Sequence, residues 1–252
     1  MNGTIDIVAS VPDAFANLMA ARLAGPRDGR FSLFLSGGQT ARQSYERLAE
    51  RTAPHHSRGN AGGSGGGADG TAYPVRVDWS TVDIYLGDER CVPPDHRDSN
   101  HRMITAALID AVGPVGSDHP MYRSGPPEAA ASAYQSEVES LDGIDLIHLG
   151  LGPDGHCASL FPGSGALAID DPSVLVAANR DPNANNPHDR ITLTLPGIAR
   201  AGTVVFTVSG PSKRGAFARV VAGDDLPAAR VTAAEVLWLV DADAAADAHL
   251  PG

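Results

Sequence analysis

The chain has 252 residues, 42% of them apolar and 19% charged, with a formal net charge of −11. That length and apolar share can fill one sizeable core, while the acidic balance excludes a nucleic-acid surface, which needs clustered Lys and Arg against phosphate. No stretch reaches the roughly 18 apolar residues of a membrane span, and no basic-then-apolar leader is found, so neither a membrane partner nor a signal peptide is expected.

In chain order, the strand candidates are TIDIVA (4–9), FSLFLS (31–36), VDIYLG (82–87), IDLIHLG (144–150), VLVAA (174–178), ITLTL (191–195), TVVFTVS (203–209) and EVLWLV (235–240). Several are nearly continuous apolar runs, as strands covered on both faces require. Between them lie helix candidates at 12–24, 40–51, 98–112, 127–141 and 211–222. Pro12, Pro127 and Pro211 each fit a first helical turn, where the missing N–H costs nothing. This alternation predicts an α/β fold: a mostly parallel sheet with helices on both faces, binding its ligand at the carboxyl ends of the strands.

The segment HHSRGNAGGSGGGADGTA (55–72) breaks the rhythm. Dominated by Gly and Ser, it reads as a flexible surface insertion within one domain spanning 1–252. Gly62-Gly63-Ser64-Gly65-Gly66 matches the G-x-S-x-G elbow in form, but neither the strand before nor the helix after it is present. Cys91 and Cys157 belong to no C-x-x-C pair, so free thiols in a reducing cytoplasm are expected. The nine histidines show no metal-ligand spacing, and no metal is expected. Of 19 Lys and Arg, only Lys213 is a lysine.

Four strand ends concentrate polar residues. In LSGGQTARQSYERLA (35–49), Ser36, Gly37, Gly38, Gln39 and Thr40 form a strand-to-helix turn whose amides and helix N-terminus suit a phosphate. In YLGDERCVPPDHRDSNHRMI (85–104), Asp88, Glu89 and Arg90 leave a strand together, and Asp98, Ser99 and Asn100 are good N-caps for the next helix. HLGLGPDGHCASLFPGS (148–164) contains Gly150, Gly152 and Gly155 at the G-x-G-x-x-G spacing of a dinucleotide turn, with Asp170 at a matching distance. Pro153 removes an N–H from that turn, however, and FPGSG (161–165) breaks the helix that the fingerprint needs. No organic cofactor is therefore expected. Arg190 before ITLTL and Lys213 after FTVSGPS are cations at sheet ends.

Together these loops resemble the 6-phosphogluconolactonase family, in order and along nearly the whole chain. LSGGQT is similar to its L-S-G-G-S-T, GDERCVPPDHRDSN to its G-D-E-R-x-V-P-x-x-H-x-D-S-N, and LGLGPDGHCASLFPG to its L-G-x-G-x-D-G-H-x-A-S-L-F-P. RITLTLPGI and SGPSK match two later blocks. Gln39 stands where the family usually has Ser, Cys157 where it usually has Thr, and most relatives lack the Gly-rich insertion.

The resemblance implies a Rossmann-like three-layer α/β/α sandwich and hydrolysis of 6-phospho-D-glucono-1,5-lactone in the oxidative pentose phosphate pathway, by a cytoplasmic monomer or small homo-oligomer. For that chemistry His156 is the expected base, since a neutral imidazole can take a proton from water. Asp154 either orients the ring or binds a sugar hydroxyl. The phosphate is expected on the Ser36–Thr40 turn, with Arg190 and Lys213 supplying charge. Asp88 and Arg90 are grouped with the substrate-binding residues, Arg90 facing the lactone carbonyl or the phosphate, and amides near Gly150–Gly152 are rival oxyanion donors. Two alternatives remain: a hexosamine-6-phosphate isomerase or deaminase using Asp88 to move a proton, and a non-catalytic sugar-phosphate sensor.

Overall fold

A computed structural model describes residues 1–26, 29–53 and 75–250. The 55–72 insertion lies wholly outside the described residues.

Seven strands form one parallel sheet. In chain order the first elements are β1 (Thr4–Val8), α1 (Val11–Ala24), β2 (Phe31–Leu35), α2 (Gln39–Thr52) and β3 (Val82–Leu86). After β3 comes a short strand, β4 (Asp88–Arg90), then α3 (Asn100–Ile104), a π-helical turn over 105–109, α4 (Asp110–Val112) and the two-residue β5 (Ser117–Asp118). There follow α5 (Pro127–Glu139), β6 (Ile144–Gly150), β7 (Val176–Asn179), β8 (Arg190–Leu193), α6 (Leu195–Ile198), β9 (Ala201–Val208), α7 (Arg214–Ala222), β10 (Glu235–Asp241) and α8 (Ala242–Ala245). The sheet order is β1-β10-β9-β6-β2-β3-β5.

Side-chain alternation on β6 shows why helices cover both faces. His148 points toward α1 and α2, lying 4.2 Å from the Phe15 ring and bonding Tyr45. On the opposite face, Phe206 of β9 stacks on Trp238 of β10 at 3.8 Å, with Phe217 of α7 beside it. Tyr134 of α5 closes the same face by donating its hydroxyl to the Leu86 carbonyl. Each such side chain contributes roughly 1.5–3 kcal/mol by leaving water, so the two faces together make the α/β/α layering the stable arrangement.

Three expectations need correcting. The apolar runs at 174–178 and 191–195 are strands, but as β7 and β8 they pair antiparallel in a second, three-stranded sheet of order β4-β8-β7. Its remaining member, β4, is the polar stretch Asp88–Arg90 that the sequence read as a loop. A three-residue strand with three charged side chains carries no alternation signal, and its pairing with residues a hundred positions away fixes it. The helix expected over 98–112 begins at Asn100 and passes through the π turn.

β2 leads rightward in this order to β3, whereas β6 leads leftward to β9. The chain therefore changes winding direction between β2 and β6, and the loops after them diverge to leave a crevice at their carboxyl ends.

Candidate active site

A cleft of about 540 Å3 occupies that crevice. Its lining brings together Ser36, Gly37, Gly38, Gln39, Thr40, Asp88, Arg90, His156, Arg190 and Lys213, drawn from five separate segments. Among the described residues, three cations, Arg90, Arg190 and Lys213, face it against the single carboxylate of Asp88. The chain is strongly acidic overall, so this local excess of positive charge marks a site for an anion.

The turn after β2 is built for close approach. Gly38, the residue before α2, has φ +110°, a conformation that disfavours side chains, and no side chain caps the helix. The first N–H groups of the 14-residue α2 thus open toward the cleft. Ser36 is less available than its motif suggests: its hydroxyl donates to the His148 carbonyl at 2.7 Å, and its N–H donates to the Tyr45 hydroxyl at 2.9 Å. It holds the turn on β6.

The loop after β6 positions His156. The Gly152 N–H donates to the His156 carbonyl at 2.8 Å, and a Cβ on Gly152 would lie 2.2 Å from the ring nitrogen Nδ1. Only glycine lets the backbone fold this tightly over the imidazole. Asp154 Oδ1 meets His156 Nδ1 at 2.6 Å and also accepts the His156 N–H at 3.2 Å. Burial pulls the Asp154 carboxyl upward, but these bonds and the imidazole charge outweigh it and leave the group below the usual carboxylate range. A carboxylate on Nδ1 fixes the tautomer with its proton there, leaving the Nε2 lone pair free. Asp154, the one expected site residue that does not line the cleft, therefore contacts the ring and not the cavity. The edge of the Phe161 ring packs against His156 at 5.0 Å, and the Arg190 guanidinium sits 5.8 Å from the same ring.

Arg90 and Arg190 face each other across the β4–β8 ladder. Like charges at such a pair oppose folding, and burial pulls the Arg190 pKa down from its ordinary value. Each guanidinium makes a hydrogen bond to a carbonyl: Arg90 to Asp98 at 2.7 Å and Arg190 to Pro187 at 3.0 Å. Yet both Nε atoms are buried without a hydrogen-bond partner. Two inward donors left open on paired cations are a costly arrangement that an anionic ligand would relieve. Lys213, half-buried just ahead of α7, has its ammonium pKa lowered by burial and partly restored by Asp154.

Asp88 and Glu89 behave differently from their neighbours. Asp88 accepts the Ser159 hydroxyl at 2.6 Å on one oxygen and faces Asn100 Nδ2 at 3.4 Å on the other. Glu89 turns inward and accepts from the N–H groups of Arg90, Asn100 and His101 and from the Ser99 hydroxyl. Burial raises its carboxyl above the usual range despite those donors. It caps α3 together with Ser99, whose hydroxyl accepts from the Arg102 N–H. Asn100, expected among the caps, is not one: it lies inside the helix and lines the cleft. Phe161 and Ser212, which lie inside the LGLGPDGHCASLFPG and SGPSK blocks, also line the cleft, as do Asn186 and Thr207 from outside the matched blocks.

A sequence model of the family described as glucosamine-6-phosphate isomerases/6-phosphogluconolactonase matches residues 6–238. The chain belongs to this family. Among curated proteins of the family, it is 34% identical to a 6-phosphogluconolactonase of Nostoc sp. over 88% of this chain and 86% of that one. It is 38% identical to the 6-phosphogluconolactonase of Mycobacterium tuberculosis over 70% of this chain and 77% of that one. The crystal structure of 6-phosphogluconolactonase from Thermotoga maritima superposes with a TM-score of 0.74 at 27% identity, covering 94% of this chain and 98% of that one. A monomeric glucosamine-6-phosphate deaminase, 18% identical with a TM-score of 0.73, shares the fold. Of the two positions that depart from the family motifs, Gln39 begins α2 at the cleft, whereas Cys157 is fully buried. Both cysteines are free, with burial pushing Cys91 up to about 12 and Cys157 higher. No helix among the described residues is long and apolar enough to cross a membrane.

Proposed function

We propose that this chain hydrolyses 6-phospho-D-glucono-1,5-lactone to 6-phospho-D-gluconate. The observation that carries the reading is the carboxylate–imidazole pair Asp154–His156 at 2.6 Å, with His156 in a cleft flanked by three cations. His156 Nε2 takes a proton from a water as its oxygen attacks the lactone carbonyl. The resulting tetrahedral oxyanion collapses, the bond from the carbonyl carbon to the ring oxygen breaks, and the imidazolium returns its proton to that oxygen. Asp154 keeps the ring in the productive tautomer and stabilises the imidazolium without itself being protonated, as the carboxylate of a Ser-His-Asp triad does.

The phosphate rests against the first amides of α2, with Lys213 and the arginine pair supplying charge. Arg90 and Arg190, with their open Nε donors, serve either the phosphate or the oxyanion. Both Asp88 oxygens already face partners, which argues against the proton-shuttling role an isomerase would require of it. The chain acts as one domain on a small sugar phosphate. The test generates the lactone in situ from glucose 6-phosphate with its dehydrogenase, adds the protein, and follows 6-phosphogluconate. Formation no faster than the spontaneous rate would reject the assignment.

A further inference from the structure

Apart from the cleft, the structure brings together His96, Asp98 and His188, whose ligand atoms lie within 4.8 Å of one another. His188 Nε2 is 3.1 Å and His96 Nδ1 3.8 Å from the same Asp98 oxygen, Oδ2. Ligands at about 2.0–2.2 Å around a tetrahedral ion sit roughly 3.4 Å apart, so these separations bracket the required edge. None of the three lines the cleft. We propose that His96, Asp98 and His188 form a binding site for one divalent transition-metal ion, with Zn2+ as its representative, separate from His156.

The donor set decides the class of ion. Two imidazoles and one carboxylate suit Zn2+ and its first-row neighbours, not the all-oxygen shells of Mg2+ or Ca2+. Three protein ligands leave a fourth position for water, and each side chain is partly exposed, between 29% and 37%, which gives an ion a way in. Arg97 approaches the other Asp98 oxygen at 3.6 Å, but its side chain is 88% exposed and free to swing away. His96 Nδ1 now accepts the Asp98 N–H at 3.1 Å, so on binding the ring must exchange that proton donor for the ion or present Nε2. The backbone of His188 sits at φ +73°, an uncommon conformation for a residue with a side chain, and it aims the imidazole at Asp98.

The location gives the ion a structural consequence. The Asp98 carbonyl accepts the Arg90 guanidinium, and His188 lies two residues before Arg190. An ion held by both loops would brace the two arginines from behind.

The test uses the full chain without a histidine tag, stripped with a chelator and titrated with Zn2+ by calorimetry. Co2+ is substituted for its visible spectrum. One equivalent is expected, with the intense visible bands of a four-coordinate Co2+ site. His188→Gly accommodates the left-handed backbone, and so should fold while weakening binding by about 100-fold or more, since even supporting residues of metal sites cost 10- to 100-fold. Asp98→Asn should weaken it comparably, with circular dichroism verifying the fold of both. Binding must survive in His156→Gln and in the His55→Ala/His56→Ala double variant. Undiminished affinity in His188→Gly and Asp98→Asn, or loss in either control, would place the ion elsewhere and overturn the assignment. So would an absence of saturable binding in the micromolar range.

Discussion

His148 and His156 stand eight residues apart, one within β6 and the other in the loop after it. His148 is fully buried: Tyr45 and Thr207 hydroxyls bond its two nitrogens at 2.7 and 2.8 Å, and Phe15 covers its face. Burial without a charged partner pushes its pKa down to about 3, so it stays neutral and acts as a polar pin between α1, α2 and β9. His156 keeps 19% of its side chain exposed, has one nitrogen on a carboxylate, and faces the cleft. A strand interior saturates both nitrogens, whereas the end of the same strand leaves one with work to do. The side chain is the same; its position relative to the sheet end selects the role.

Replacing each histidine in turn gives the sharpest contrast. His156→Ala should lower kcat by about 10²- to 10⁴-fold, the scale of a general base, with the melting temperature little changed. Turnover near wild type would move the base elsewhere in the cleft.

The His148 signature is acid stability. Its folded pKa lies below the value of about 6.5 expected in the unfolded chain, so the unfolded state takes up the proton first as pH falls. Stability from this group is complete above pH ~6.5 and is lost toward pH ~3, with a limiting slope of about 1.4 kcal/mol per pH unit. His148→Gln does not titrate. It should start less stable at neutral pH, having lost a hydrogen bond, and lose less on acidification, as urea midpoints measured from pH 7 to 4 would show. Parallel curves for the two proteins would mean that another group sets the acid limit.

Lys213 tests how the loop ends divide the substrate. Lys213→Ala removes a charge-assisted bond worth roughly 1.5–3 kcal/mol, raising KM by about 10- to 150-fold with a smaller change in kcat. Hydrolysis of glucono-1,5-lactone, which lacks the phosphate, should be almost untouched. Equal damage to both substrates would place Lys213 at the lactone.

The smallest effect is expected in stability at Arg190. This buried cation faces Arg90 across the ladder, so Arg190→Met should raise stability by about 1 kcal/mol, or 2–4 °C in melting temperature. It should also lower kcat/KM at least 10-fold. A lower melting temperature would show that Arg190 supports the scaffold more than the ligand.

Local pattern made much of this visible. The strands of the parallel sheet follow from unbroken apolar runs such as FSLFL and VDIYL, because a strand covered on both faces must be apolar at every position. Pro127 does open α5, and Gly37–Gly38 does precede α2 at the cleft. What escaped depends on distant partners. VAAN and RITL read as strands, yet the antiparallel pairing of RITL with Asp88–Arg90 on one side and with VAAN on the other is set by contacts that no window of sequence contains. Glu89 and Arg90 read alike as charged neighbours, but alternation along β4 sends one inward as a cap and the other into the cleft. The His96–Asp98–His188 grouping spans more than ninety positions, so no spacing rule could find it.

By itself, then, the sequence determined the layered α/β class, the turns that end its strands and the residues most suited to chemistry, since apolar periodicity, glycine turns and side-chain functional groups act over a few residues. Tertiary structure decided which of those residues meet. It set Asp154 on the His156 ring instead of in the cleft, made Ser36 a tether, and faced two arginines across a ladder with donors left open. Each of these depends on burial and on partners brought together by chain crossings, and hydrogen-bond saturation and charge desolvation have no value until those neighbours are in place.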